Sequence, residues 1–372
     1  MKPVLFVTGH APAYRVGAFA RLHELEGIEL ALFGGRYQHG GPDSGEELPF
    51  PSLRVRPGEL HALAASGRHR AVVCPTGGRL APLATWTGAR RARLPLLLWA
   101  SLWAHPATVA HAFTYLPLRR LYGSADAVVT YGPHVSAYVS ARGARNVHVA
   151  PQSVDNDFWR SREVTAPGFP QWPSAARTRF LFVGRPVREK GLDVLLAAWR
   201  ACGLRQPEAA LVLAGIAPAS LPLQARAAAA EGQRGESERS MAALGHVGAR
   251  ALRDVYAACH VLVVPSIPTR TFREPWGLVV NEAMNSGLAV IATDAVGAAA
   301  GGLVRDGENG LIVPAGDSGA LAYAIGRLAG DQATRERMGA AGSEDVLAYS
   351  HDAWARGFCA ALASVGVSRG RW

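Results

Sequence analysis

Short apolar runs alternate with longer helical stretches, twice over, and nothing else in this chain limits its fold so tightly. In the first half, strands are expected at Val4–Thr8, Glu29–Phe33, Ala71–Pro75, Leu96–Ala100, Ala127–Tyr131 and Asn146–Ala150. In the second half they are expected at Arg179–Val183, Ala210–Ala214, His246, Val261–Val264, Ala289–Ala292 and Leu311–Val313. Continuous apolar character suits strands covered on both faces, as in parallel sheets. Two such series mean two doubly wound α/β domains, and 372 residues suit two cores better than one. The seam is expected in Pro151 to Ser174, where Pro151, Pro167, Pro170 and Pro173 interrupt regular structure. The expected division is a first domain over residues 1–165, a second over 175–345, and a terminal helical segment over 346–372. Ala217 to Glu238 is expected to be a helix with flexible flanks.

The segment from Pro265 to Pro314 carries the densest chemistry. Glu274 and Glu282 stand eight residues apart, separated by Pro-Trp-Gly and the apolar start of a helix. One carboxylate is therefore expected on a loop and the other about one turn into the helix. Carboxylates so placed can accept hydrogen bonds from the hydroxyls of a sugar or a ribose. The alternative is that Glu282 caps or salt-bridges its own helix. Beyond it come a strand (Leu288 to Thr293), a Gly/Ala-rich turn (Gly297 to Gly302) and a polar turn, Asp306 to Gly310.

A second motif is the strand Phe180–Val183 running into Gly184-Arg185, then Pro186 to Gly191 and a helix from Leu192 to Cys202. Ligands of open α/β sheets bind beyond the carboxyl ends of the strands. Gly184 allows close backbone approach, and a helix N-terminus adds donors and partial positive charge. Arg185 and Lys190 could neutralise a diphosphate there. Of 39 cationic residues only Lys2 and Lys190 are lysines. An interior lysine in so arginine-biased a chain points to a need for a compact ammonium, with chance retention as the alternative.

These residues resemble the donor-binding half of the retaining, GT-B-fold glycosyltransferases of glycosyltransferase family 4. The match rests on Pro265-Ser266, Glu274, Gly277, Glu282-Ala283-Met284 and Gly287, and on Gly184, Arg185, Lys190 and Gly191. Ala289 stands where the family often has proline, and Arg270 and Arg273 make the preceding loop richer in charge than usual. The resemblance implies two Rossmann-like domains facing each other across a cleft, with a C-terminal helix crossing back to the first. It implies that Arg185 and Lys190 hold the donor diphosphate, that Glu274 contacts the donor sugar, and that Glu282 contacts the ribose. Gly184, Trp276, Gly277 and Leu278 complete the implied donor site, and Arg185, Lys190 and Glu274 the catalytic set. No cofactor is expected, because the nucleotide sugar is itself a substrate, with UDP or GDP rather than ADP as the nucleotide. No metal is expected either: Arg185 and Lys190 supply positive charge. Asp155-Asn156-Asp157 matches a metal-binding Asp-x-Asp pattern of another glycosyltransferase fold, but here it lies in an interdomain segment and reads as hinge.

In the first domain the family often has a Gly-Gly loop after the first strand and a histidine beyond a later one. This chain lacks both. Gly9, His10, Arg15 and His105 are the remaining candidates for acceptor binding or closure, with a helix-surface position as the alternative for Arg15. Trp99, Trp103 and Tyr115 could stack on a sugar or touch lipid, though core packing suits them better.

Thirty-nine cations against 29 acidic residues leave a net charge of +10. The arginines are scattered in pairs, and no recognition helix or aromatic-rich RNA motif is present, which argues against nucleic acid as a partner. The excess favours phosphate-bearing donors and an anionic membrane face. Cys74, Cys202, Cys259 and Cys359 lie far apart, without disulfide or zinc spacing, as expected in a reducing cytoplasm. The run Val4 to Gly9 is short for a signal-peptide core, and the longest apolar stretch, Leu94 to Phe113, is broken by Pro95, His105, Pro106 and His111. The expected activity is sugar transfer from a nucleotide-diphosphate sugar to an acceptor hydroxyl of a glycan, a lipid-linked sugar or a small molecule. It is expected to serve cell-surface glycan or glycoconjugate synthesis, in the cytoplasm or at the inner membrane face. A non-catalytic nucleotide-sugar-binding relative and a sugar-nucleotide epimerase are the rival readings.

Overall fold

Strands that are apolar on both faces must be covered twice, and helical crossovers do the covering. The computed structural model describes residues 1–34, 48–78, 80–161, 167–221 and 240–370, and they fall into two compact units. Unit 1 comprises Met1–Asp155 with Tyr349–Trp372, and unit 2 comprises Asn156–Ala348.

In unit 1 the chain runs β1 (Val4–Thr8), α1 (Ala13–Glu26), β2 (Ile28–Leu32), β3 (Ser52–Arg54), α2 (Leu60–Ala65), β4 (Ala71–Pro75), α3 (Ala81–Ala92), β5 (Leu96–Ala100), α4 (Val109–Ser124), β6 (Ala127–Thr130), α5 (Pro133–Ser140) and β7 (Val147–Val149). The sheet order is β3-β2-β1-β4-β5-β6-β7, with every pairing parallel. Unit 2 runs α6 (Asn156–Arg160), β8 (Thr178–Val183), α7 (Leu192–Cys202), β9 (Ala209–Ala214), β10 (Met241–Gly245), α8 (Ala249–Ala257), β11 (Val261–Val264), α9 (Val279–Asn285), β12 (Ala289–Thr293), α10 (Gly297–Ala300), β13 (Gly310–Val313), α11 (Ser318–Gly330) and α12 (Gln332–Asp345). Its order is β10-β9-β8-β11-β12-β13, again parallel throughout. Strand order reverses between β1 and β4 in unit 1 and between β8 and β11 in unit 2. Those reversals open the crevices in which doubly wound sheets bind ligands.

The last helix, α13 (His351–Ser364), belongs to unit 1. Trp354 and Phe358, one turn apart, are fully buried with ring centroids 4.6 Å apart, beside Phe6, Phe19 and Trp99. Gly17 lets α1 approach this helix: a Cβ there would lie 2.5 Å from the His351 ring. Among the described residues no helix is long and apolar enough to cross a membrane.

Three local expectations need correction. β3 was not foreseen, because Ser52-Leu53-Arg54 is a three-residue, largely exposed edge strand without an apolar run. The strand expected at His246 is Met241–Gly245, which pairs with β9 and ends one residue before that histidine. Its Met-Ala-Ala-Leu-Gly composition carries little strand propensity, so pairing and burial select it. The expected Gly297–Gly302 turn begins with the short helix α10. Pro218–Ser220 forms a 3₁₀ turn, and residues 222–238 of the expected helix lie outside the described residues.

Candidate functional site

At the unit 2 reversal, glycines bring three strand ends close together. Gly184 follows β8 and donates its N–H to Ala214 O at 3.0 Å. Gly215, beyond β9, has φ 86°, and a Cβ there would lie 2.4 Å from Gly184 O. Gly191 has φ 65°, and a Cβ there would lie 1.9 Å from Pro265 O, just past β11. Only glycine tolerates both the left-handed backbone and that approach. The Ile267 N–H donates to Glu189 O at 3.0 Å, bolting the loop after β11 to the 3₁₀ turn Arg188–Lys190. Lys190 is thereby delivered to the crevice, while Arg185 is exposed at its edge.

Lys190 Nζ donates to Glu274 Oε2 at 2.5 Å. The Glu274 side chain is 9% exposed and that of Lys190 25%. Glu274 is held by its own backbone, which forms a parallel bridge with Val296. Gly297 N–H donates to Glu274 O at 3.1 Å, and Ala298 N–H to Trp276 O at 2.7 Å. A Cβ at Gly297 would lie 2.0 Å from Pro275 O, so the loop and α10 fit only through glycine. The result is a rigidly seated carboxylate facing a compact ammonium, over a sequence separation of 84 residues.

Glu282 lies in the first turn of α9. Its Oε2 accepts a hydrogen bond from the Tyr256 hydroxyl at 2.8 Å. Burial pushes the Glu282 carboxyl up to about 7, only partly opposed by the Tyr256 bond. Burial, followed by the Glu282 charge, lifts the Tyr256 phenol well above its ordinary 10. Of the roles open to Glu282, no salt bridge within its helix is formed among the described residues.

Trp276 is 2% exposed, and its Nε1–H donates to Asn281 Oδ1 at 2.8 Å. Its indole therefore locks the turn before α9, and its backbone is what it can offer a ligand. Gly277 makes that turn with φ 91°, and Leu278 begins α9 half-buried. Three residues of this region were not singled out by the sequence reading. Tyr256 and Asn281 are partners that spacing does not reveal. Ser266, noticed only as part of Pro-Ser, has a buried Oγ without a hydrogen-bond partner among the described residues. A ligand hydroxyl could satisfy it.

In unit 1, the N–H of Gly34 donates to Gly9 O at 2.9 Å, placing Gly9 and His10 against the end of β2. Arg15 is buried, not on a helix surface. One of its terminal nitrogens donates to Gln152 Oε1 at 2.7 Å, and its guanidinium carbon lies 4.8 Å from the Trp99 ring centroid. Burial on α1 over an aromatic floor excludes the helix-surface alternative. His105 Nε2 lies 2.9 Å from His111 O, which assigns its proton there, and Nδ1 lies 3.4 Å from the Tyr138 hydroxyl. Its ring sits edge-on to Tyr115, Trp103 to His134, and Trp99 is 8% exposed. Asp155 ends the first part of unit 1, and Asn156 Oδ1 accepts from Asn285 Nδ2 at 2.9 Å within unit 2. Cys74, Cys259 and Cys359 are buried and Cys202 partly so, all free, and burial pushes the thiols of the first three to about 12.

A family described as glycosyl transferases group 1 matches residues 177–331, within unit 2. Phosphatidyl-myo-inositol mannosyltransferase of Mycobacterium leprae is 42% identical over 105 residues, 28% of this chain and 25% of that protein. D-inositol 3-phosphate glycosyltransferase of Nocardia farcinica is 35% identical over 202 residues, 51% of this chain and 43% of that protein. The matched stretches thus span between a quarter and just under half of these relatives. Among solved structures, sucrose-phosphate synthase from Thermosynechococcus elongatus superposes with TM-score 0.72 at 22% identity, covering 98% of this chain and 99% of the other. Anabaena HepE in complex with UDP and glucose superposes with TM-score 0.73 at 18% identity, covering 98% and 100%. At such identities the superpositions establish the GT-B fold.

Proposed function

We propose that this chain, a GT-B-fold protein with a glycosyl transferases group 1 domain over residues 177–331, is a retaining transferase using a nucleotide-diphosphate sugar. The observation that carries this reading is the Lys190–Glu274 pair, seated at the strand-order reversal of unit 2 by Gly191, the Glu189–Ile267 bond and the Glu274–Val296 bridge. A donor diphosphate offers Lys190 a better partner than one carboxylate. Glu274 then turns its lone pairs to the sugar hydroxyls, Glu282 accepts from the ribose, and exposed Arg185 adds a second cation. In the reaction, the bond between the anomeric carbon and the phosphate oxygen breaks. The acceptor oxygen bonds to that carbon on the same face, and the acceptor proton leaves with the diphosphate. Charge on the departing diphosphate is greatest in the transition state, so fixed cations at that point lower the barrier. No protein general base, metal or cofactor is assigned.

UDP is the favoured nucleotide, a choice supported by the HepE structures in complex with UDP and glucose and with UDP-glucose. Acceptor binding is assigned to unit 1, through Gly9, His10 and the surroundings of Arg15 and His105. The acceptor is a hydroxyl of a glycan, a lipid-linked sugar or a small molecule, in cell-surface glycan or glycoconjugate synthesis. A cytoplasmic setting with peripheral contact to an anionic membrane face is supported by Val109, Phe113 and Leu116. They lie on one stripe of α4 at 78%, 80% and 69% exposure, in a chain of charge +10.

The test is nucleotide release from UDP-, GDP- and ADP-sugars by wild type and Lys190→Ala, with inositol phosphates and polyprenyl-linked sugars as acceptors. Release from one donor, lost in the variant, supports the reading. Absence of both release and thermal stabilisation by every donor overturns it in favour of a non-catalytic relative.

A further inference from the structure

The opposite, amino-terminal edge of the unit 2 sheet holds a cavity of about 640 Å³. Arg179, at the start of β8, His260, just before β11, and Gly287, just before β12, contribute to its wall. Trp172 and Arg335 of α12 also line it. None of these residues belongs to the donor site.

Among the described residues, the hydrogen bonds of its two buried or half-buried guanidinium groups go to carbonyl oxygens. Arg179 donates from Nε to Ala258 O and from NH1 to Ala176 O, each at 2.6 Å. Arg335 donates from NH1 to Leu328 O at 2.5 Å and Ala329 O at 3.0 Å. Among the described residues, no carboxylate lies within ion-pair distance of either. Burial pulls both guanidinium pKa values down. Asp254 and Glu336 also line the cavity: Asp254 faces Arg253 at 3.6 Å, and Glu336, which accepts from Gln332 at 2.8 Å, offsets part of the Arg335 charge together with Asp331. Carbonyl dipoles orient a cation without cancelling its charge, so two such groups on one wall favour an anion.

His260 adds a donor. Its Nδ1 accepts the Arg179 backbone N–H at 2.9 Å, which places the ring proton on Nε2. Burial first, then the charges of Arg179 and Arg335, push its pKa down to about 4, so the ring is a neutral donor at neutral pH. The planar fork of arginine matches phosphate oxygens. The volume exceeds what a phosphate fills, and the Trp172 ring, 6.0 Å from the Arg179 guanidinium carbon, gives the wall an aromatic face for a small organic body.

We propose that this cavity is a second ligand site, in which Arg179 and Arg335 bind the phosphate group of inorganic phosphate or of a sugar phosphate, apart from the donor site.

The test uses the full chain with Arg185→Ala and Lys190→Ala, so that phosphate has no donor site to occupy. Inorganic phosphate and glucose 6-phosphate are titrated at constant ionic strength, reading the His260 ring resonances and heat of binding. A saturable shift supports the proposal. Affinity several-fold higher for glucose 6-phosphate names the sugar phosphate as ligand, and equal affinity names free phosphate. Adding Arg179→Met should weaken binding about tenfold or more. Hydrogen exchange on the Arg179-containing chain, slowed by ligand at residues 257–260 and 332–336, provides a readout that needs no variant at the cavity. A shift that chloride reproduces, or affinity unchanged by Arg179→Met, overturns the proposal.

Discussion

The carboxyl edges of the two sheets follow one topological rule and hold their charges in opposite ways. In unit 2 the Lys190 ammonium faces the Glu274 carboxylate, a partner that an incoming phosphate can replace. In unit 1 the Arg15 guanidinium lies over Trp99 and bonds Gln152, partners that are themselves buried. His105 is likewise engaged on both ring nitrogens by His111 and Tyr138. A charge satisfied by an exchangeable ion is available for chemistry, whereas one satisfied by fixed rings and amides shapes the wall around it.

The sharpest way to break this contrast is Lys190→Ala, expected to lower nucleotide release by roughly a hundredfold to a thousandfold. It should also lower stability by about 1–3 kcal/mol in urea denaturation, because the buried Glu274 carboxylate loses the Lys190 ammonium. Glu274→Ala should cost less stability, since Lys190 can turn to water. The reverse order of the two stabilities would break the account of the pair.

Next comes pH. Glu282 titrates at about 7 in the fold against an ordinary 4.5. The folded chain therefore keeps a proton that the unfolded chain has lost between those values. The resulting stabilisation is complete below pH 4.5 and disappears as pH rises through 7. Glu282→Gln keeps a neutral partner for Tyr256, so its stability relative to wild type should improve by about 2 kcal/mol from pH 5 to pH 8. A constant difference would mean that Glu282 is ionised throughout.

Arg15→Met should cost about 1–2 kcal/mol through the lost Gln152 bond and ring contact, with nucleotide release reduced far less than in Lys190→Ala. Release falling as far as in Lys190→Ala would erase the distinction between the two edges. Trp276→Phe removes one buried hydrogen bond to Asn281 and should cost about 1 kcal/mol, with donor KM within about twofold. A large KM change would bring the indole into contact with the donor. Smallest of all, Phe113→Asp should leave stability within about 0.5 kcal/mol while reducing sedimentation with anionic vesicles. Unchanged sedimentation would remove α4 from any membrane role.

Legibility in the sequence followed the same division. Lys190, Glu274 and Glu282 could be named because a strand, a glycine turn and a helix impose short spacings around each. Tyr256 and Asn281 could not, since a hydroxyl or amide partner is recognisable only once two segments have met. Arg15 was left open between function and surface, and tertiary burial excluded the surface. β3 escaped because three largely exposed residues have no periodic signature, and β10 was misplaced at His246 because a run rich in alanine carries little strand signal.

Apolar runs and glycine turns by themselves determined two parallel α/β units and the donor-like motifs, because strand burial and backbone conformation are local demands. Only the tertiary structure decided that Lys190 closes on Glu274 across 84 residues and that Glu282 takes its partner from α8. It alone gathered Arg179, His260 and Arg335 around one cavity. Those pairings depend on which loops a folded sheet brings together at each edge, and no residue's own propensity encodes that meeting.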